Sequence, residues 1–208
     1  MLYHDFLTND QRTIHKWLHY FPIYEKFFNK FINNSVTLWE IGVFKGGSLQ
    51  MWKRYLGPFA IIVGIDIDSR CKTVEENQIH VRTGDQSDTK FLQSVIDEFG
   101  APDIVIDDGS HRDKDIYTTF NFLYEKVSKN GIYLVEDLHA LYMDGTGNDL
   151  KDKMEFIDLC KELTECFSDC GHNGCRGRFF EMTYSMSFYD SVAVFQKAER
   201  MKGKQGKI

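Results

Sequence analysis

The sequence predicts an α/β fold: a mostly parallel, seven-stranded sheet covered by helices on both faces and closed by a C-terminal antiparallel hairpin. Three observations carry this. Short apolar runs alternate with longer amphipathic segments from Val36 onward. A glycine-rich turn joins the first run to the first amphipathic segment. Near the C-terminus the alternation gives way to two adjacent strand-like runs.

Taken in order, Asp10–Phe31 reads as helical, because Ile14, Trp17, Leu18, Phe21, Tyr24, Phe27, Phe28 and Phe31 recur at threes and fours. Pro22 divides that run into two helices. The sheet opens with strand Val36–Ile41, helix Gly47–Leu56, strand Ala60–Ile65, a helix near Cys71–Gln78 and strand His80–Thr83. Helix Thr89–Phe99, strand Ile104–Ile106, helix Arg112–Val127, strand Gly131–Val135 and helix Lys151–Cys166 follow. Strands alternating with helices are buried on both faces, which explains runs that are apolar throughout. Arg178–Ser187 and Ser191–Lys197, separated by Phe188-Tyr189-Asp190, supply the hairpin. Five parallel strands followed by an antiparallel pair is the layout of the class I methyltransferase sheet, a Rossmann-like arrangement with one strand inserted antiparallel.

A chain of 208 residues fits one substantial domain. The formal net charge of −6 argues against nucleic acid as the main partner, since phosphate neutralisation needs a concentrated basic surface. Only Arg200, Lys202, Lys204 and Lys207 run basic, and residues 199–208 read as a flexible tail. No apolar stretch is long enough to span a bilayer and no signal peptide is evident, so no membrane association and a cytoplasmic location are expected. Cys160, Cys166, Cys170 and Cys175, with His172 among them, read as reduced thiols rather than a zinc site.

The turn Glu40-Ile41-Gly42-Val43-Phe44-Lys45-Gly46-Gly47-Ser48 leaves room for a ligand against the backbone and opens a helix whose free N–H groups suit a carboxylate. Asp66, ending the second run, can accept the hydrogens of both ribose hydroxyls of an adenosine. The turn is E-x-G-x-x-x-G-G rather than G-x-G-x-x-G, and its leading acid fits S-adenosylmethionine better than NAD, which brings a pyrophosphate. Asp85 and Gln86 follow the third run, where polar groups meet an adenine edge, although Asp85 alone reads equally as a turn residue. Asp107 is counted with the cofactor residues.

The other acids form a second group. Asp107, Asp108 and His111 lie just past the fourth strand, and Glu136 and Asp137 just past the fifth. Ligands of open α/β sheets bind outside the carboxyl ends of the strands, and neighbouring strands run about 4.8 Å apart. With no lysine or arginine in these two stretches, converging carboxylates are either partly protonated or neutralised by a cation, and oxygen donors favour Mg²⁺ or Mn²⁺. His111, three positions beyond Asp108, suits removal of a proton from a hydroxyl acceptor. The bland alternatives are helix-capping acids and a surface histidine.

Together these residues resemble the metal-dependent sugar O-methyltransferases of macrolide biosynthesis, of the macrocin and mycinamicin type, and the related cephalosporin hydroxylase. The similar segments are His19-Tyr20-Phe21-Pro22-Ile23-Tyr24-Glu25, LWEIGVFKGGSLQMWKRY from Leu38, VGIDID from Val63, IDDGSH from Ile106, LVEDLH from Leu134 and SFYDSVAVFQK from Ser187. The resemblance implies Asp108, Glu136 and Asp137 as metal ligands, His111 as base, and Glu40, Gly42, Asp66 and Asp85 as cofactor contacts. It implies an aromatic-rich helical segment over residues 1–35 and a methyltransferase domain over 36–198, without the extra N-terminal domain of some macrolide enzymes. Relatives often carry Asp-Lys where this chain has Asp10-Gln11. The implied acceptor is a sugar, glycan or other small hydroxylated metabolite of natural-product or glycan biosynthesis. A hydroxylase-like chemistry and a non-catalytic cofactor-binding protein are the rival readings. The aromatic stripe reads mainly as core or as the surface of a homo-oligomer, with Tyr20 left open as an acceptor contact. His139–Asp149, with Gly145 and Gly147, reads as either a lid or a plain connection.

Overall fold

The computed structural model describes residues 1–143, 148, 154–169 and 177–199. Its strands are β1 (Val36–Ile41), β2 (Ala60–Asp66), β3 (Ile79–Thr83), β4 (Ile104–Asp107), β5 (Ile132–Val135), β6 (Thr183–Tyr189) and β7 (Val192–Lys197). They form one sheet in the order β3-β2-β1-β4-β5-β7-β6. β1 to β5 pair in parallel, β7 runs antiparallel to β5, and β6 runs antiparallel to β7. The helices are α1 (Leu2–Leu7), α2 (Phe21–Phe28), α3 (Gly47–Leu56), α4 (Thr89–Phe99), α5 (Asp113–Leu123), α6 (Glu155–Ser168) and α7 (Arg178–Met182). The mostly parallel seven-stranded sheet and its closing antiparallel hairpin are those expected from the sequence.

Because side chains alternate along a strand, each strand feeds two cores. On one face Leu38, Ile62, Ile106, Leu134 and Val194 pack with Tyr24, Phe28 and Trp52 from α2 and α3. On the other, Trp39, Val63, Val105, Tyr133 and Phe195 pack with Phe120, Phe156 and Phe179 from α5, α6 and α7. Burial of this much apolar side chain, at roughly 25 cal/mol per Å², holds the sheet rigid beneath whatever its strand ends carry.

Three segments depart from expectation. Asp10–Phe31 is not one broken helix: residues 8–17 run without helix, Leu18–Tyr20 is a 3₁₀ turn, and α2 spans only Phe21–Phe28. Pro22 starts α2, where a missing N–H costs nothing. Trp17 and Leu18, counted toward the apolar face, are 52% and 54% exposed. The segment instead lies across the glycine-rich turn, with the Arg12 guanidinium donating to the Val74 carbonyl at 2.9 Å. Arg178–Met182, read as strand, is α7, since Phe179 and Phe180 are both buried, which a half-exposed strand does not allow for successive residues. The helix near Cys71–Gln78 shortens to a 3₁₀ turn at Ser69–Val74, capped early by Asp68.

No helix among the described residues is long and apolar enough to cross a membrane. Cys71 and Cys160 are free and buried. Cys166 is disulfide-bonded, so the expectation of reduced thiols fails there. Cys170, His172 and Cys175 lie outside the described residues, as do 144–147, 149 and the tail from 200.

Candidate active site

Strand register decides which acids meet. Glu40 pairs with Ile106, and Ile106 with Leu134, so these three share one face of the sheet. Two residues further along β4 and β5 the same face carries Asp108 and Glu136. Into this group of acids comes Lys16, its side chain only 2% exposed. The Lys16 ammonium lies 2.7 Å from Asp108 Oδ2, 2.9 Å from Glu40 Oε1 and 3.0 Å from Glu136 Oε2. The Glu40 contact is an ion pair with poor hydrogen-bond alignment, whereas the other two are hydrogen bonds. The expectation of carboxylates without a basic neighbour is therefore corrected. Burial works against the charge on Lys16, but Asp108, Glu136 and Glu40 outweigh it and hold the amine well above its usual range. Burial pushes the Glu136 carboxyl upward and Lys16 pulls it back.

The remaining oxygens can be assigned one by one. Tyr24 donates to Glu136 Oε1 at 2.8 Å, Tyr20 to Asp137 Oδ1 at 2.7 Å, and Ser48 to Glu40 Oε2 at 2.6 Å. That leaves Asp108 Oδ1 and Asp137 Oδ2, which stand 3.8 and 3.9 Å from His111 Nε2. Donor atoms of Asp108, His111 and Asp137 all lie within 4.8 Å of one another. The two carboxylate oxygens, open to water and with free lone pairs, fit a hard divalent cation that keeps part of its hydration shell, with the imidazole standing beside it. Glu136 stands at the edge of this group, with both oxygens engaged by Lys16 and Tyr24.

His111 (φ 55°) and Asp137 (φ 54°) both adopt left-handed backbone, as does Phe44 (φ 50°) at the cavity wall. Non-glycine residues held there cost on the order of 1–3 kcal/mol each and persist only where the surroundings enforce them. For the first, the Asn148 amide donates to the His111 carbonyl at 3.0 Å and accepts from Asp113 N at 2.9 Å. Past Asp137, Leu138 N donates to the Ser191 carbonyl at 2.9 Å.

The donor group faces a cavity of about 330 Å³, lined among others by Lys16, Gly42, Val43, Asp66, Asp108 and His111. An adjoining cavity of about 210 Å³ shares Gly42, Asp66 and Gly109 and adds Ile67, Asp85 and Gln86. Asp66 Oδ2 accepts from Val43 N at 2.8 Å and Phe44 N at 3.3 Å, while Oδ1 accepts from Asp68 N at 2.9 Å. The carboxylate thus shapes the glycine-rich turn as well as lining both cavities. Gly42 (φ 92°) admits no side chain: a Cβ there would sit 2.0 Å from the Asp108 carbonyl oxygen. Asp85 accepts from Ser87 N at 2.8 Å, a turn that leaves it at the cavity wall.

Other expected cofactor residues are engaged by partners within the fold. Asp107 occupies the opposite face of β4 and lines neither cavity; it accepts from Gln86 Nε2 at 3.0 Å and from Tyr133 at 2.9 Å. Gln86 joins that buried pair and also accepts from Ser110 N at 2.8 Å. A Cβ on Gly47 would sit 2.2 Å from the Thr13 carbonyl oxygen, so this glycine accommodates the N-terminal segment. Gly46 (φ 73°) packs on Val74. Glu40 lies behind Lys16. Of His139–Asp149, the described part is a 3₁₀ turn at Leu138–Tyr142 together with Asn148.

The residues missed from sequence are Lys16 and the roles of Tyr20 and Tyr24. All three lie four apart, so a basic residue in step with two tyrosines was the available signal.

Sheet order, glycine-rich turn and polar strand ends together define a class I methyltransferase fold. Curated relatives at 36–40% identity are sugar O-methyltransferases of the macrocin, mycinamicin and tetracenomycin type. It is 36% identical over 163 residues to demethylmacrocin O-methyltransferase of Streptomyces fradiae, covering 72% of this chain and 41% of that protein. To the 8-demethyl-8-alpha-L-rhamnosyl tetracenomycin-C 2'-O-methyltransferase of Streptomyces olivaceus it is 40% identical over 198 residues, covering 88% and 51%. Among solved structures, MycE methyltransferase from the mycinamycin biosynthetic pathway, in complex with Mg, SAH and mycinamycin VI, superposes with a TM-score of 0.79 at 31% identity, covering 95% of this chain and 53% of MycE. The chain spans about half the length of the curated relatives it matches. No protein-family model matches it.

Proposed function

We propose that this chain transfers a methyl group from S-adenosylmethionine to a hydroxyl of a sugar or other small hydroxylated metabolite, with Mg²⁺ or Mn²⁺ held by the strand-end acids. The observation that carries this is the Asp108, His111 and Asp137 donor group at the wall of the same cavity that Gly42 and Asp66 line. Relatives named for sugar O-methylation, and a structural neighbour solved with Mg and SAH, support the reading.

The chain's own groups divide the work. The Gly42 backbone and Asp66 border the cofactor, with Asp66 able to accept from ribose hydroxyls through its remaining lone pairs. Asp85 stands at the far cavity, where an adenine edge would lie. Asp108 and Asp137 would hold the cation, with Glu136 at the edge of the group. His111 Nε2 receives the acceptor's hydroxyl proton, a role worth about 10²–10⁴ in rate for a well-placed base. When bound, the cofactor supplies an electrophilic methyl on a sulfonium leaving group, and the cation lowers the cost of ionising the hydroxyl. The strained loops at His111 and Asp137 keep base and donors aligned, so little reorganisation remains at the moment of transfer.

Calorimetric titration with SAH and methylation of a panel of glycosides test this. SAH binding, with turnover abolished by excess EDTA and restored by Mg²⁺ or Mn²⁺, is expected. Full turnover in EDTA would remove the cation from the reaction, and binding of NAD in place of SAH would overturn the cofactor.

A further inference from the structure

We propose that Lys16 is a positioning residue for the cation centre: an internal counter-cation that lets the acidic cluster fold empty and limits how tightly it holds a divalent ion. The inference rests on the metal-assisted reading above.

Glu40, Asp108, Glu136 and Asp137 converge on one face of the sheet, and the first three lose most of their water there. Carboxylates this close repel strongly in a poorly screened interior. Lys16 is the basic side chain that reaches them among the described residues, and it touches three through one oxygen each. Tyr20, Tyr24 and Ser48 take a further oxygen from Asp137, Glu136 and Glu40, and being uncharged they orient without neutralising. Two consequences follow. The second oxygen of Asp108 is turned toward Asp137 and His111, so Lys16 sets the direction of the ligand. A divalent ion entering beside Asp108 also meets a fixed positive charge one carboxylate away, which weakens its binding.

The experiment uses the full chain stripped of metal, with Mn²⁺ as probe, followed by calorimetry, by the Mn²⁺ electron paramagnetic resonance signal and by thermal melting with and without the ion. Lys16→Met leaves the carboxylates uncompensated. It should bind Mn²⁺ at least about tenfold more tightly than the wild type, and melt at a much lower temperature that Mn²⁺ restores. The double variant Lys16→Met with Glu40→Gln removes the ammonium together with one of its acids. It should recover near-wild-type Mn²⁺ affinity, fold without the ion and gain no more from Mn²⁺ on melting than the wild type does, a rescue that lost packing alone does not produce. It also carries the test should Lys16→Met fail to fold even with Mn²⁺.

Equal affinity and equal melting in wild type and Lys16→Met would overturn the role of Lys16 and leave the metal reading standing. A double variant that still needs Mn²⁺ to fold would overturn it too. Mn²⁺ binding by Lys16→Met but not by wild type would support Lys16 as counter-cation and sink the metal reading. Binding by neither would sink both.

Discussion

Asp107 and Asp108 are adjacent in sequence and lie on opposite sides of the sheet, and the two sides treat a buried carboxylate differently. Behind the sheet, Asp107 is held by the neutral donors Gln86 and Tyr133 among aromatic rings. In front, Asp108 meets an ammonium and keeps one oxygen facing a cavity. Neutral donors satisfy hydrogen-bonding capacity but leave the cost of burying the charge, so Asp107 is driven toward its protonated form. Burial raises the Asp108 carboxyl as well, but there an ammonium works against the rise and one oxygen stays available. Adjacent acids at a strand end are thus not equivalent, and one is enclosed behind the sheet while the other faces a cavity.

The largest expected effect lies on the front side alone. His111→Ala should lower kcat by about 10²–10⁴-fold with SAH affinity retained, measured by turnover and calorimetry. Unchanged turnover would strip the front side of its catalytic meaning.

A matched pair of tyrosines comes next. Tyr24→Phe removes the donor to Glu136, and Tyr133→Phe the donor to Asp107. Each should cost about 1–3 kcal/mol in chemical unfolding, because each leaves a buried carboxyl oxygen without its donor. Divalent cation should recover much of the loss in Tyr24→Phe and none in Tyr133→Phe. Equal recovery in both would erase the distinction between the two sides.

The smallest effect is a pH slope. Burial drives the Asp107 carboxyl up to about 7, so its share of stability is complete below the unfolded value of about 4 and is lost as pH rises through about 7. Wild type should therefore lose stability relative to Asp107→Asn across that window, read as the difference in melting temperature. Parallel profiles would mean that Asp107 stays ionised throughout.

Much of this arrangement is legible in the chain because it is local. β1, α3 and α4 have the bounds their periodicity predicts, since each combines a strong apolar repeat with a clear start or stop such as Gly46, Gly57 or Gly100. The acids at the ends of β4 and β5 are recognisable for the same reason. The partners of those acids are harder to read. Lys16 reaches Asp108 across 92 positions and Glu136 across 120, and no local pattern reports such a distance. The opposite facing of Asp107 and Asp108 was in principle readable from two-residue alternation. It was obscured because both are acidic and both stand at the strand's end. Residues 8–17 misled for a related reason: apolar spacing of three and four marks a helix only where those residues share a buried face, and Trp17 and Leu18 do not.

The extended course of residues 8–17 also bears on how this protein can be trimmed. A fragment beginning at Val36 would keep every strand, both cores' sheet residues and every acid, and by sequence alone would pass for the whole catalytic unit. It would nevertheless lose the ammonium and the two phenols that come from outside the sheet to hold those acids apart. It would also strip Phe21, Tyr24 and Phe28 from the core on that face of the sheet.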